Sequence, residues 1–288
     1  MGQAALVGVF QQFDPRNITV ICGTRRDADK QTILNLLNAH HITAPVENFV
    51  SHPDVHIEQL AKPDVIILGV KPQLMDTVLG HYDSLINDET ILLSMAAGRT
   101  VESYYPPLTH RPKIARIMPH LPKAVYGLYS DDARAKAAAI KAFPSMGEAV
   151  SLAAEDEMHA FIAVAASNPA FIAYFVASYA GKEAQQKALN ELRLLSLGDE
   201  SADEKCCTFY RHSLAHAQYY LGEKEGSQTL NATLLATVED MQNSTDTADE
   251  YVAKVRSPKG TTNAGLLFMG CPAPAKESFG SAAQIAAQ

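Results

Sequence analysis

The stretch Arg256-Ser257-Pro258-Lys259-Gly260-Thr261-Thr262-Asn263 gathers three hydroxyls, a proline and a glycine just ahead of the helical run 264–269. Pro258 and Gly260 shape a tight loop, and Thr261 or Thr262 falls at the helix N-cap. Two readings fit. The threonine caps an ordinary helix start, or free backbone N–H groups join the Ser257 and threonine hydroxyls to hold an anion such as a carboxylate. Three further places carry chemistry, each at the end of an apolar run. They are Cys22-Gly23-Thr24-Arg25-Arg26, Gly69-Val70-Lys71-Pro72, and the pair Ala96-Ala97-Gly98 and Met118-Pro119. Pro72 cannot continue a hydrogen-bonded ladder, so it turns the chain outward. Lys71 reads as a solvated turn residue or as a ligand contact. The small residues let a flat ring approach the backbone, or simply pack a tight loop.

These stretches need a scaffold, and the first half of the chain supplies an alternating one. Residues 18–22 (ITVIC), 65–70 (VIILGV), 91–95 (ILLSM) and 114–118 (IARIM) read as strands. Residues 2–13, 27–39 and 73–79 carry helical periodicity. Apolar strands without alternation, separated by helices, predict a parallel doubly wound sheet covered on both faces. Ligands of such sheets bind at the carboxyl ends of the strands. At the first βα loop an arginine accommodates a ribose 2′-phosphate, where an acidic residue favours a free hydroxyl. Thr24 and Arg25 therefore suit NADP, or are solvated surface residues. From about Ala153 the pattern is helical, with breaks at 198–205 and 222–227. This predicts an α/β domain over 1–152 and an all-α domain over 153–288.

Composition narrows the classes. Hydrophobic residues make up 47% and charged residues 19%, which is globular and not disordered. The 24 Lys and Arg against 32 Asp and Glu leave a net charge of −8, a poor match for nucleic acid or an anionic membrane. The four cysteines, Cys22, Cys206, Cys207 and Cys271, form no C-x-x-C pair, so neither a disulfide framework nor a zinc site is expected. His212 and His216 have metal-compatible spacing but no third ligand, and read as helix-face residues. The start MGQAALVGVFQQFDP has no basic region and no cleavage site, so the expected compartment is the cytoplasm. Residues 161–180 run twenty positions without a charge, yet Ser167-Asn168-Pro169 interrupts them. A helix pair or one kinked helix, buried in a core or a subunit interface, is expected there in place of a membrane span.

Taken together, the four stretches resemble one family, the pyrroline-5-carboxylate reductases. VIILGVKPQ resembles its strand-plus-VKP motif and ILLSMAAGRTVESY its small-residue segment. ARIMPHLP resembles R-V-M-P-N-T-P, and SPKGTTNAGL resembles its signature S-P-G-G-T-T-x-A-G-L. AASNPA, at 165–170, is similar to S-G-S-G-P-A, which opens the family's helical dimerisation domain. The resemblance implies a Rossmann-like domain followed by an all-α domain. It also implies hydride transfer from NADPH, with NADH as the alternative, to the C=N carbon of a cyclic imino acid. Ser257 and the backbone of Gly260, Thr261 and Thr262 would hold the substrate carboxylate, and Thr262 would be the catalytic hydroxyl beside the ring nitrogen. Gly2, Thr24, Arg25, Val70, Lys71, Pro72, Ala96, Ala97, Met118 and Pro119 would line the cofactor. A homodimer or larger homo-oligomer through the helical domain, and no metal, complete what it implies.

The chain departs from the family pattern in places. His120-Leu121 replace Asn-Thr, Lys259 replaces a glycine, Ala166 and Asn168 replace two more, and about 181–227 reads as an insertion. Met1-Gly2 align with the end of the family's glycine loop. The family's first strand, which would lie between 18–22 and 65–70, and the first two glycines are absent from the chain as given. Two other readings therefore stand beside the reductase. One is a non-catalytic dimeric relative that has lost cofactor binding, and the other is a reductase of another imine or of a β-hydroxy acid.

Overall fold

Runs rich in Val, Ile and Leu become strands where Gly, Pro or Asn bounds them. The computed structural model describes residues 2–22, 27–43, 49–51, 57, 60–119 and 124–255. The chain divides into two compact units, Met1–Pro119 with Tyr126–Glu155, and His120–Val125 with Asp156–Gln288.

In the first unit, α1 (Gly2–Gln12) precedes β1 (Val20–Cys22), and α2 (Asp27–Ala39) precedes β2 (Phe49–Ser51). These two strands pair in parallel, Val20 opposite Phe49. A five-stranded sheet follows in the order β3 (Val65–Leu68), β4 (Ile91–Ser94), β5 (Lys113–Pro119), β6 (Val125–Tyr129), β7 (Glu148–Ser151). Helix α3 (Met75–Tyr82) lies between β3 and β4 in sequence, and α4 (Ala133–Ala142) between β6 and β7. Asp132 caps α4, its carboxylate accepting from Ala135 N at 2.9 Å.

The sequence reading expects one parallel sheet, and β3, β4 and β5 are parallel. Strand β6 corrects the rest, because it runs antiparallel to β5. The connection 120–124 is too short for a parallel crossover, which needs about a dozen residues. Strands β2, β6 and β7 were not expected. Two are only three and four residues long, and β6 contains Gly127. Among the described residues β1 pairs only with β2, and β3 only with β4.

The non-alternating runs have their reason in two covered faces. Ile91, Leu93, Ala115 and Ile117 pack with Ala135 and Ala139 of α4 and with Ala5 and Val9 of α1. Leu68, Leu92 and Ile114 point the other way, onto Met75, Leu79 and Tyr104. Each such leucine or isoleucine contributes about 1.5–3 kcal/mol by leaving water. Helix α1 is anchored by this core through Ala5 and Val9. Gly8 permits its close approach, since a Cβ there would run into the Ser145 side chain.

From Glu157 to Val255 the described residues form helices and turns: α5 (Glu157–Phe161), α6 (Asn168–Ala177), α7 (Lys182–Ser196), α8 (Glu204–Leu221), α9 (Glu223–Asn243) and α10 (Ala248–Val255). Helices α5 and α6 form one kinked run. A π-turn over Ile162–Ala166 joins them, with Ser167 N donating to Ile162 O at 3.1 Å. Pro169 explains the kink, because it has no N–H for the carbonyl four residues back. Glu157–Ala177 is long and apolar enough to cross a membrane by length and composition, and 59% of its most apolar window is buried inside the structure. The stretch is not buried on all sides, however. Phe161, Ala165, Ile172 and Val176 are buried, whereas Ala163 is exposed and Phe171, Tyr174 and Phe175 are half-buried. The break expected over 222–227 shrinks to one residue, Gly222 at φ 82°, which joins α8 to α9.

Candidate functional site

Register brings three of the expected segments to one end of the sheet. Leu68, Ser94 and Arg116 are successive partners across β3, β4 and β5; β3 and β4 end there side by side, and β5 runs on to Pro119. Beyond β3, Gly69 and Lys71 are exposed and Val70 is half-buried. Lys71 is extended (φ −63°, ψ 145°), as a residue before proline must be, and Pro72 opens a short 3-10 turn, Pro72–Leu74. Beyond β4, Ala96 is buried, while Ala97 and Gly98 are exposed. Gly98 has φ 73°, a conformation that favours glycine. Met118 lies within β5 as expected, and the strand runs one residue further, to Pro119; the two stand opposite Gly127 and Tyr126.

This end is open. A Cβ built on Gly69 would meet only Met95 Cε at 3.7 Å, and one on Gly98 would meet nothing within 4 Å. Gly69, Ala97 and Gly98 thus form a low ledge that a flat group can approach closely. None of Gly69, Ala97 and Gly98 carries an ionisable side chain. The arrangement suits binding and orientation rather than proton transfer.

A polar network that the sequence reading missed holds the ledge in place. Ser94 and Tyr104 hydroxyls lie 2.6 Å apart, and Ser94 Oγ accepts from Ala96 N at 3.2 Å. Burial pushes the Tyr104 phenol above its ordinary pKa, with the Ser94 contact pulling the other way. Arg99 ties the β4 loop to the β3 turn, donating to Asp76 Oδ1 at 2.6 Å and to the carbonyls of Pro72 and Ser103. Arg116, buried in β5, pairs with Glu155 at 2.9 Å, and Glu155 accepts from Val101 N at 2.7 Å. A single signal hinted at this, a charged residue inside the apolar run IARIM.

The remaining expected residues divide simply. Gly2 is the first residue of α1. Thr24, Arg25, Ser257, Gly260, Thr261 and Thr262 lie outside the described residues. In the helical unit, Glu191, Asp203 and Cys206 bring ligand-type atoms within 4.8 Å of one another. Each already has a structural partner. Asp203 caps α8 by accepting from Cys206 N at 2.9 Å, and Glu191 accepts from Asp203 N at 3.2 Å. Burial raises the Cys206 thiol to about 12, which favours the thiol over a ligating thiolate.

No protein-family model matches the chain. It is 33% identical over 116 residues to the pyrroline-5-carboxylate reductase of Methanosarcina acetivorans, covering 38% of this chain and 43% of that one. It is 33% identical over 124 residues to the Escherichia coli enzyme of that name, covering 41% and 46%. With the Haemophilus influenzae enzyme the identity is 26% over 203 residues, 67% of each chain. The chain thus spans less than half the length of the first two relatives. Among solved structures, a 1-pyrroline-5-carboxylate reductase from Streptococcus pyogenes gives a TM-score of 0.47 at 21% identity, covering 94% of this chain and 86% of that one. One from Plasmodium falciparum with NADP bound gives 0.46 at 17%, with the same coverage. Over stretches of 116 to 203 residues the chain is thus similar in sequence to proteins named pyrroline-5-carboxylate reductase.

Proposed function

We propose that the chain is an NADPH-dependent oxidoreductase that reduces the cyclic imine 1-pyrroline-5-carboxylate to L-proline. The observation that supports it most is the placement of Gly69–Pro72, Ala96–Gly98 and the last residues of β5 at one end of the sheet. These are the segments that carry the resemblance. The open ledge fits a flat nicotinamide ring, and Thr24 and Arg25 suit a 2′-phosphate. NADH is the alternative donor. A bound dinucleotide supplies the hydride. The residues of the chain have the rest to do, which is to bind, orient and exclude water. In this reading Ser257 and the backbone N–H groups of Gly260, Thr261 and Thr262 hold the carboxylate, and the Thr262 hydroxyl faces the ring nitrogen. A protonated imine is already electrophilic, so no strong general acid is required. Residues 1–152 carry the cofactor, and 153–288 carry the substrate loop and a homodimer interface. A cytoplasmic biosynthetic role goes with this reading.

The test is NADPH oxidation by the purified chain with pyrroline-5-carboxylate, beside calorimetric titration of NADPH. Oxidation that depends on the imine is expected. A second reading goes with the edges of β1 and β3 that have no partner among the described residues: a non-catalytic relative that has lost cofactor binding. Absence of both turnover and NADPH binding would select it. Turnover with a different imine alone would redirect the substrate assignment.

A further inference from the structure

We propose that Glu155 is a positioning residue for the ledge, acting through Val101 and anchored by Arg116. This rests on the reading that the strand ends hold a dinucleotide. The argument begins with Arg116, on β5 in the same row as Leu68 and Ser94. Its side chain is only 5% exposed, and Nε has no partner among the described residues. A buried arginine with an unused donor is a costly way to fill space, and an apolar side chain of similar volume is often as stable or more so. What Arg116 adds is a fixed carboxylate. Glu155 Oε1 takes its hydrogen bond at 2.9 Å, and the same oxygen accepts from Val101 N at 2.7 Å.

Val101 matters because of where it sits. It follows Ala97-Gly98-Arg99-Thr100 and begins the 3-10 turn Val101–Tyr104. The loop that carries the exposed Ala97 and Gly98 is therefore held at three points. Ser94 binds Ala96 N at its start, Arg99 clamps its middle, and Glu155 holds Val101 N at its end. Two of these anchors lie near the loop in sequence. Glu155 is 54 residues away from Val101, in the connection between β7 and α5. That connection and the ledge therefore move together.

The geometry separates an acceptor role from a charge role. Glu155→Gln keeps a carbonyl oxygen for Val101 N and removes the charge that faces Arg116. Glu155→Ala removes both. Both variants are expected to melt lower, because Arg116 loses its counter-charge. Only Glu155→Ala is expected to speed amide exchange at Val101 in the ligand-free chain. Only it should also raise KM for NADPH, about tenfold for one lost charge-assisted hydrogen bond, with kcat changed less. Equal exchange and equal KM in the two variants would overturn the proposal, as would a Glu155→Ala chain with wild-type exchange at Val101. If the wild-type chain neither binds nor oxidises NADPH, the functional reading fails, and the dinucleotide part of the proposal with it. The exchange contrast alone then decides whether Glu155 positions the loop. Should Glu155→Ala not fold, the double variant Arg116→Met/Glu155→Gln removes both charges and keeps the acceptor. Wild-type exchange at Val101 in that variant supports the proposal, and fast exchange overturns it.

Discussion

Replacing Thr262 by alanine is expected to lower turnover more than it weakens NADPH binding. In the proposed reaction the hydroxyl faces the imine and not the cofactor, so its loss falls on substrate or transition-state stabilisation. A hydrogen bond to a charged or developing group contributes about 1.5–3 kcal/mol, which is roughly tenfold or more in rate. Steady-state kinetics beside an NADPH titration checks the split, and unchanged kinetics in an active chain would remove the loop from the substrate site. The residues of the ledge set a different requirement. Gly69, Ala97 and Gly98 act by being small, and the side chains that hold them, Arg99, Tyr104 and Glu155, stand behind and beside them. In this reading binding and positioning fall on different residues, some of them, such as Gly98 and Arg99, adjacent in the chain and one, Glu155, distant from it.

At the scale of elements, two glycines in helices should respond to alanine in opposite ways. Gly226 lies in α9 where it crosses α8, and a Cβ there would stand 2.6 Å from Gln218 N and still closer to the Ala217 carbonyl. Backbone cannot yield as a flexible side chain does. Gly226→Ala is therefore expected to cost about 1–3 kcal/mol, a fall in melting temperature of roughly 2–12 °C. Gly80 lies in α3, and its Cβ would meet only Pro107 Cβ at 4.0 Å. Gly80→Ala should be neutral or stabilise by up to about 1 kcal/mol, the helix-propensity gain. Thermal melting of both variants distinguishes close helix contact from simple propensity. The strands invite an addition rather than a substitution. Strands β1 and β3 each have an edge with no described partner, and unpaired strand groups that become buried cost about 1–3 kcal/mol each. A version with a strand and glycine loop added ahead of Gly2, about ten residues, should melt higher and bind NADPH more tightly by calorimetry. Equal melting and binding would show that no strand belongs there.

For the whole molecule, the prediction is a homodimer through the helical unit. The apolar stretch 161–180 supports this less strongly than its composition suggests, because the chain itself buries Phe161, Ala165, Ile172 and Val176. Among the described residues, the apolar side chains left for a partner are the half-buried Phe171 and Phe175 and the exposed Leu194, Leu197, Tyr219 and Tyr220. Sedimentation at micromolar concentration is expected to give twice the mass of the chain. A folded, stable monomer at that concentration would count against the dimer.

Much of this was legible in the sequence because it is local. VIILGV, ILLSM and IARIM declare buried strands by composition, and the helical pattern after about 153 is equally plain. Pro169 marks a kink wherever the helix packs, since its missing N–H is a property of the residue. The loop motifs could be placed at strand ends for the same reason. What only the tertiary structure decided are the partners. Nothing local says that β6 turns back along β5, or that α8 and α9 meet across a single glycine. Nor does the chain announce that Arg116 finds Glu155, 39 residues on. Side-chain pattern encodes burial and backbone preference, whereas register and pairing depend on which distant surfaces fit together. The ledge depends on that second kind of information. Gly69 and Ala97 are 28 positions apart in the chain, and the parallel register of β3 and β4 places their loops side by side.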